Sequence, residues 1–434
     1  MREAKSIRGS AVLCFLIGCL FAISCGAAPA TRPNIIVILA DDLGYGDLGV
    51  YGNQVIETPN LDRMADEGVL LTDAYATSSN CTPSRAGLLT GRYPIRSGLA
   101  HQVIFVKDTH GLPQSEITIA EMLKPLGYQT AIIGKWHLGH QSEFWPTRHG
   151  FDYYYGLPYS NNQSPLALYR NRRKIEESVD QKRLTASYTE EVIRFMESNK
   201  EHPFFIYLAH TAPHVPLAVS DAFKGRSKAG LYGDVIEELD WSVGQIREAL
   251  QRLELDESTL VIFTSDNGPY QGGTTGRLRG TKGTSWEGGY RVPFLARWPG
   301  TLPASTRSGA ITMSIDILPT IQAITNAELP DGLELDGKNI LPVLQGAQTS
   351  PHDQLYFFSD NFISAVRTQQ WKALLRARYR GIDRWLPEHD VRLLFDMDQG
   401  GEEYYSHAAH REDVWQDMMK RYERGVRELE SLGN

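Results

Sequence analysis

The chain has 434 residues, 41% of them hydrophobic, enough to bury a substantial core in one large domain or in two to three smaller ones. Its formal net charge of −8 argues against a nucleic-acid partner. The sequence contains neither internal repeats nor low-complexity tracts.

The first element is a leader. Met1 to Arg8 carry three basic side chains, Gly9 to Ile23 run apolar without a charge, and Ala27-Ala28-Pro29-Ala30 offer small residues for cleavage. The apolar run is too short for a transmembrane anchor, and no later segment reads as membrane-spanning. Residues 1–30 are therefore expected to be a signal peptide, and the mature chain to be exported, periplasmic or secreted. Leu16-Ile17-Gly18-Cys19 has the form of a lipid-attachment site, so a lipid-anchored form is the other option. Cleavage after Ala30 removes three basic and one acidic side chain, taking the net charge from −8 to −10. It also removes Cys14, Cys19 and Cys25, leaving Cys81 as the one cysteine and excluding internal disulfides.

Four apolar runs follow, each ending in polar residues: Asn34 to Ala40 before Asp41-Asp42, Thr130 to Gly134 before Lys135-Trp136-His137, Phe204 to Ala209 before His210, and Leu260 to Ser265 before Asp266-Asn267. Near-continuous apolar runs of this length predict strands buried on both faces, as in a parallel sheet. Helices are expected between them: one opened by the capping box Thr118-Ile119-Ala120-Glu121 and stopped by Gly127, then Ala186 to Asn199 and Gly233 to Leu253. The alternation predicts an α/β fold with a large, mostly parallel sheet flanked by helices, and ligands in such folds gather at the carboxyl ends of strands. After about Leu335 shorter runs (Leu355 to Phe358, Ser364 to Arg367, Trp371 to Leu375) predict a small antiparallel sheet, followed by a polar helix from Asp413 to Leu432. The expected organisation is a catalytic body over 31–335 and a small α+β subdomain over 336–434.

Asp41-Asp42 and Asp266-Asn267 place hard oxygen donors at two strand ends, a composition that suits calcium or magnesium better than zinc. His210-Thr211-Ala212-Pro213-His214 has the spacing of a helical zinc motif, but Pro213 disfavours a helix there and the general-base glutamate is missing. A phosphate-binding loop fails too, because Gly134-Lys135 continues with Trp136 and Thr281-Lys282 lacks the preceding glycine. Cys81-Thr82-Pro83-Ser84-Arg85 leads into a helix with Pro83 in its first turn and Gly91 at its end. Cys81 then heads a helix, where backbone amides and the dipole favour anions.

These segments resemble the sulfatase family, with its arylsulfatase A and N-acetylgalactosamine-6-sulfatase-like members and its alkaline phosphatase-like fold. Cys81-Thr82-Pro83-Ser84-Arg85 is similar to the family's Cys-x-Pro-Ser-Arg signature, Gly134-Lys135-Trp136-His137-Leu138-Gly139 to its second signature, and Gly280 to Gly289 to its later lysine loop. The likeness runs from about Pro33 to beyond Leu375 and departs at Asp396-Met397-Asp398-Gln399-Gly400-Gly401-Glu402, which follows the family's Asp-Pro-x-Glu segment only loosely.

The resemblance implies hydrolysis of sulfate esters, exo-acting on a sulfated carbohydrate or aryl sulfate, after a maturation enzyme oxidises Cys81 to formylglycine. Hydrated formylglycine carries two hydroxyls on one carbon, so the second can expel sulfate where a serine would stay esterified. By the same resemblance Asp41, Asp42, Asp266, Asn267 and modified Cys81 hold calcium, or magnesium in its place. Asp266 takes the attacking proton, while Arg85, Lys135 and Lys282 stabilise the sulfate charge. Lys135, Ser160, His214 and Lys282 contact substrate, His214 or Lys282 protonates the leaving alcohol, and His137 is the base for elimination. His210 is read as a packing residue. Leu99 to Pro113 and Tyr159 to Arg183 are expected to choose the substrate. The alternatives are a phosphate or phosphonate monoester hydrolase of the same superfamily and a non-catalytic binder of sulfated glycans.

Overall fold

The computed structural model describes residues 32–378 and 388–429, together with Met1. The proposed leader and its three cysteines lie outside the described residues. The main sheet has ten strands. From one edge these are Thr306–Ser308, Val69–Leu71, Phe294–Arg297, Thr259–Ser265, Asn34–Ala40, Phe204–Ala209, Gln129–Lys135, Tyr153–Leu157, Leu168–Arg170 and Arg173–Glu176. The middle of this sheet, from Thr259–Ser265 across to Tyr153–Leu157, is parallel throughout. Antiparallel pairs flank it on both sides.

Every residue of the central strand Asn34–Ala40 is buried. Ile35, Val37 and Leu39 join a core that includes Leu88, Leu89 and Leu318, whereas Ile36, Ile38 and Ala40 join one that includes Val192, Leu239 and Ile246. This alternation is why the strand reads as continuously apolar: both faces are covered by helices. Each fully buried Ile, Leu or Val contributes about 1.5–3 kcal/mol, so this strand anchors the sheet.

Register then decides where the chemistry lies. Leu39 pairs with Ala209, Ala40 with Ser265, and Gly134 with Ala209. Asp41, His210, Asp266 and Lys135 consequently emerge along one edge, and backbone bonds from His210 N to Leu39 O (2.9 Å), Asp41 N to Ala212 O (2.9 Å) and Asp266 N to Ala40 O (3.1 Å) hold that edge together. Gly134 has φ +113°, and a Cβ there would lie 1.8 Å from the Ala209 carbonyl oxygen. Gly134→Ala is expected to destabilise the protein by about 3 kcal/mol or more, read as a lowered midpoint in urea unfolding.

The helices occur where their sequence signals placed them: Leu184–Asn199, Gly230–Arg252, and Ile119–Leu123 with its capping box formed at Thr118 and Glu121. The last is shorter than an ordinary helix because Pro125 follows and the chain tightens to 3-10 geometry before Gly127. The second sheet is antiparallel, with Leu355–Ser359, Phe362–Arg367, Trp371–Ala377 and His389–Asp396 in chain order. It has one strand more than the sequence indicated, His389–Asp396, whose first half is mostly exposed and whose apolar stretch is only Leu393-Leu394-Phe395. The final helix, Glu412–Glu428, buries Trp415 and Met418 against this sheet. The last positions of the expected helix, 430–432, lie outside the described residues.

Candidate active site

Cys81 is the first residue of the helix Cys81–Thr90, and Gly91 closes that helix in the left-handed region at φ +69°. All ten helix residues are buried. Pro83 sits in the first turn, where a missing amide costs nothing. Cys81 Sγ lies 3.1 Å from Lys282 Nζ and 3.6 Å from Asp41 Oδ1. Burial pushes the thiol up to about 12, with Asp266 and Asp41 adding to the rise and Lys135 and Lys282 opposing it. The unmodified side chain is therefore a neutral thiol at physiological pH.

Around it the strand ends form an alternating charge lattice. Arg85, fully buried, donates from Nε (3.0 Å) and Nη2 (2.8 Å) to Asp266 Oδ2 and from Nη1 to the Lys135 carbonyl (2.9 Å). Lys135 Nζ donates to Asp41 Oδ2 (2.5 Å) and Ser160 Oγ (3.2 Å), and Lys282 Nζ donates to Asp42 Oδ1 (2.5 Å). Burial raises the Asp41 carboxyl, but Lys135, His214, Arg85 and Lys282 together hold it well below the usual carboxylate range. Asp266 goes the other way, raised to about 6 by burial and by the charge of Asp41. Burial disfavours the Lys282 ammonium, yet Asp42 and its other neighbours hold it well above the usual lysine range. Asp42 and His137 adopt φ +67° and +60°, left-handed conformations that non-glycine residues rarely take. Both lie two residues past the end of a strand, and this local strain must be held in place by the packing around it.

The histidines separate into different environments. His214 Nδ1 lies 2.6 Å from the Val215 carbonyl, which fixes the proton there and leaves Nε2 facing Asp42 Oδ2 at 3.7 Å. His137 Nε2 lies 2.9 Å from the Ile104 carbonyl. Burial, with Lys135 and Arg85, holds His137 well below the ordinary histidine range, and burial also lowers His214. His210 turns away from this cluster toward Ser242 (Nε2 to Oγ 3.4 Å) and the Tyr188 ring, and burial lowers it to about 3. Residues 210–214 form no helix, in line with the effect expected of Pro213.

The donors fit a hard divalent cation. One ligand atom from each of Asp41, Asp42, Cys81 and His214 lies within 4.8 Å of the others. Asp42 Oδ2 and Asn267 Oδ1 are buried with no hydrogen-bond partner, while Asn267 Nδ2 donates to Asp42 Oδ1 (2.7 Å) and orients the amide. The arrangement differs in detail from the expected ligand set. Asp266 is not one of those four residues; its Oδ2 takes Arg85 and its Oδ1 accepts the Asp42 amide (3.1 Å). His214, expected on the substrate side, lines the cavity and also stands beside the carboxylates.

A cavity of about 310 Å³ opens over Cys81, His137, Ser160, His214 and Lys282. Val103, Phe105, Asn162 and Gln163 line it from the two loops expected to choose the substrate. Asn80, Val215 and Tyr270 also line it and were not legible as site residues. Asn80 adjoins a recognised signature, which was the one available signal; the other two arrive by chain folding alone.

The family model described as Sulfatase matches residues 33–327, and the one described as N-sulphoglucosamine sulphohydrolase, C-terminal, matches residues 281–430. The chain belongs to the sulfatase family. It is 36% identical over 443 residues to human steryl-sulfatase, covering 79% of this chain and 76% of that protein. It is 40% identical over 375 residues to human N-acetylgalactosamine-6-sulfatase, covering 79% and 72%. Among solved structures, the PsFucS1 sulfatase from Pseudoalteromonas sp. superposes with a TM-score of 0.84 at 28% identity, covering 91% of this chain and 90% of that one. This sulfatase is thus a type I member with the alkaline phosphatase-like fold, and it hydrolyses sulfate esters. No helix among the described residues is long and apolar enough to cross a membrane.

Proposed function

We propose that this sulfatase removes sulfate from the terminal residue of a sulfated saccharide, or from an aryl sulfate, using formylglycine made from Cys81. The observation that carries this reading is a neutral, buried thiol at a helix N-terminus, facing an open cavity and ringed by Lys135, Lys282 and carboxylates. A thiol held at about 12 is a poor nucleophile, so the position makes chemical sense once a maturation enzyme has oxidised it. Formylglycine supplies, when hydrated, one hydroxyl for attack and a second on the same carbon for release of sulfate.

Asp41, Asp42, Asp266, Asn267 and residue 81 would hold calcium, or magnesium in its place, with His214 Nε2 alongside. The bound cation supplies Lewis-acid polarisation and a lowered hydroxyl pKa. Asp266, beside residue 81, accepts the proton of the attacking hydroxyl. Arg85 keeps Asp266 oriented, while Lys135, Lys282 and Ser160 hold the sulfate oxygens and offset the charge that builds there. Lys282 delivers a proton to the departing alcohol oxygen, since His214 carries its proton on Nδ1 against the Val215 carbonyl. His137, kept neutral by burial, removes the proton that restores the aldehyde.

The cavity is at the small end for ligand sites, which favours a terminal group over the interior of a polymer. Similarity to N-acetylgalactosamine-6-sulfatase supports a sulfated sugar. The leader supports export to the periplasm or beyond, with a lipid anchor at Cys19 as the other form, and the antiparallel four-stranded sheet is the feature that supports a 336–434 subdomain beside a 31–335 body. Parallel assays with aryl sulfate and aryl phosphate test the reaction: kcat/KM is expected to favour sulfate by about 100-fold. Better turnover of the phosphate would overturn the assignment. Release of inorganic sulfate from defined sulfated monosaccharides then identifies the sugar.

A further inference from the structure

The segment carrying Lys282 is tied to the main body by Lys282 N to the Pro269 carbonyl (3.0 Å) and Gly283 N to the Ser79 carbonyl (2.8 Å), and to the second sheet further along. Gly280 and Gly283 have φ of +79° and +77°, and the turn between them is closed by Thr281 N to Thr284 Oγ1 (3.2 Å) and Thr284 N to the Thr281 carbonyl (3.1 Å). Further fixed points lie toward the second sheet. Ser285 Oγ meets Ser364 Oγ at 2.6 Å, and Tyr290 stacks on Phe357 at 4.2 Å while its hydroxyl donates to the Phe358 carbonyl (2.6 Å). Between these, Glu287 enters a buried ionic cluster. Its Oε1 lies 3.0 Å from Lys372 Nζ, its Oε2 accepts the Tyr75 hydroxyl (2.8 Å), and its amide donates to Glu403 Oε2 (2.7 Å). Lys372 Nζ is also 2.8 Å from Glu403 Oε1, and the side chains of Glu287, Lys372 and Glu403 are all 0% exposed.

A fully buried Lys with two carboxylates is an expensive way to join two elements, since well-packed apolar groups would do so at lower desolvation cost. What such a cluster supplies is a single geometry. Glu403 is itself held at φ +57°, which brings its carboxylate under the Glu287 amide. At the other end of the loop, Lys282 Nζ must stay 2.5 Å from Asp42 and 3.1 Å from Cys81 Sγ. A displacement of about 1 Å at that end disturbs a reacting geometry.

We infer that Lys372 and Glu403, outside the cavity, are positioning residues that set Lys282 over residue 81 by fixing Glu287. The inference rests on the proposed role of Lys282 at the sulfate. A double-mutant cycle tests it, with kcat/KM for an aryl sulfate and the inhibition constant of inorganic sulfate as readouts. Lys372→Met is expected to lower kcat/KM about 10- to 50-fold when Lys282 is present, and less than about twofold in a Lys282→Ala background. The sulfate inhibition constant should weaken in the same pattern, and Lys372→Arg should recover part of the loss. An equal loss in both backgrounds, or none in either, overturns the inference and leaves the cluster a general scaffold. Full activity in Lys282→Ala alone overturns the role of Lys282 first, and the inference with it. Should Lys372→Met not fold, as judged by circular dichroism, Glu403→Gln carries the same cycle with the same outcomes.

Discussion

Cys81→Ala is expected to lower kcat/KM toward an aryl sulfate by at least about four orders of magnitude, because the whole covalent route is removed. The loss should occur without collapse of the fold. Cys81 heads its helix and lines the cavity, so truncation deletes one sulfur atom from the cavity wall and not from the packed core. Cys81→Ser separates the two halves of the chemistry. A serine hydroxyl can receive sulfate once but has no second hydroxyl on that carbon to expel it, so turnover should be lost and the sulfated peptide should accumulate. Mass spectrometry of the peptide around residue 81 reads both results. In wild-type protein from the natural host it should show sulfur replaced by an aldehyde oxygen, whereas a retained thiol would favour a glycan-binding role over catalysis.

The second large effect is expected at Asp42. Its Oδ2 is buried with no hydrogen-bond partner, a cost of about 1–3 kcal/mol or more that a cation would relieve. Asp42→Ala should lower kcat/KM about a thousandfold, and chelation of wild-type protein should do the same, reversed by added calcium. Thermal unfolding supplies a readout that does not depend on turnover. Calcium at a hundred times its dissociation constant stabilises a folded site by about 2.7 kcal/mol, so the wild-type Tm should rise with calcium and that of Asp42→Ala should not. A calcium response of equal size in both proteins would place the cation elsewhere. Because Asp42 also holds Lys282 at 2.5 Å, part of the lost activity belongs to that lysine, and the thermal measurement is what isolates the cation.

Much of the site could be read along the chain because its residues lie just beyond strands. An apolar run buried on both faces has a strong signature, and the polar residues that interrupt it fall at the strand end by construction. Asp41, Lys135 and Asp266 are of this kind. Cys81 was legible for a separate reason: Pro83 and Gly91 mark the two ends of its helix. Tyr270 and Val215 carry no comparable signal, since loop residues reach a cavity through folds of the backbone that local sequence does not encode.

Lys372 and Glu403 show the same limit more sharply. In sequence they are an ordinary strand lysine and a glutamate just past a loosely matched segment, both of which composition assigns to the surface. Residue types and spacing by themselves determined the α/β alternation, the helix that presents Cys81, and the hard-oxygen character of the strand ends, because short-range periodicity and capping are local properties. Tertiary structure alone decided that Asp266 pairs with Arg85, that His214 faces Asp42, and that a buried Lys with two Glu braces the loop of Lys282. Those outcomes depend on sheet register and on contacts between segments about 90 to 180 residues apart or more, where charge and burial are set by neighbours the local sequence does not contain.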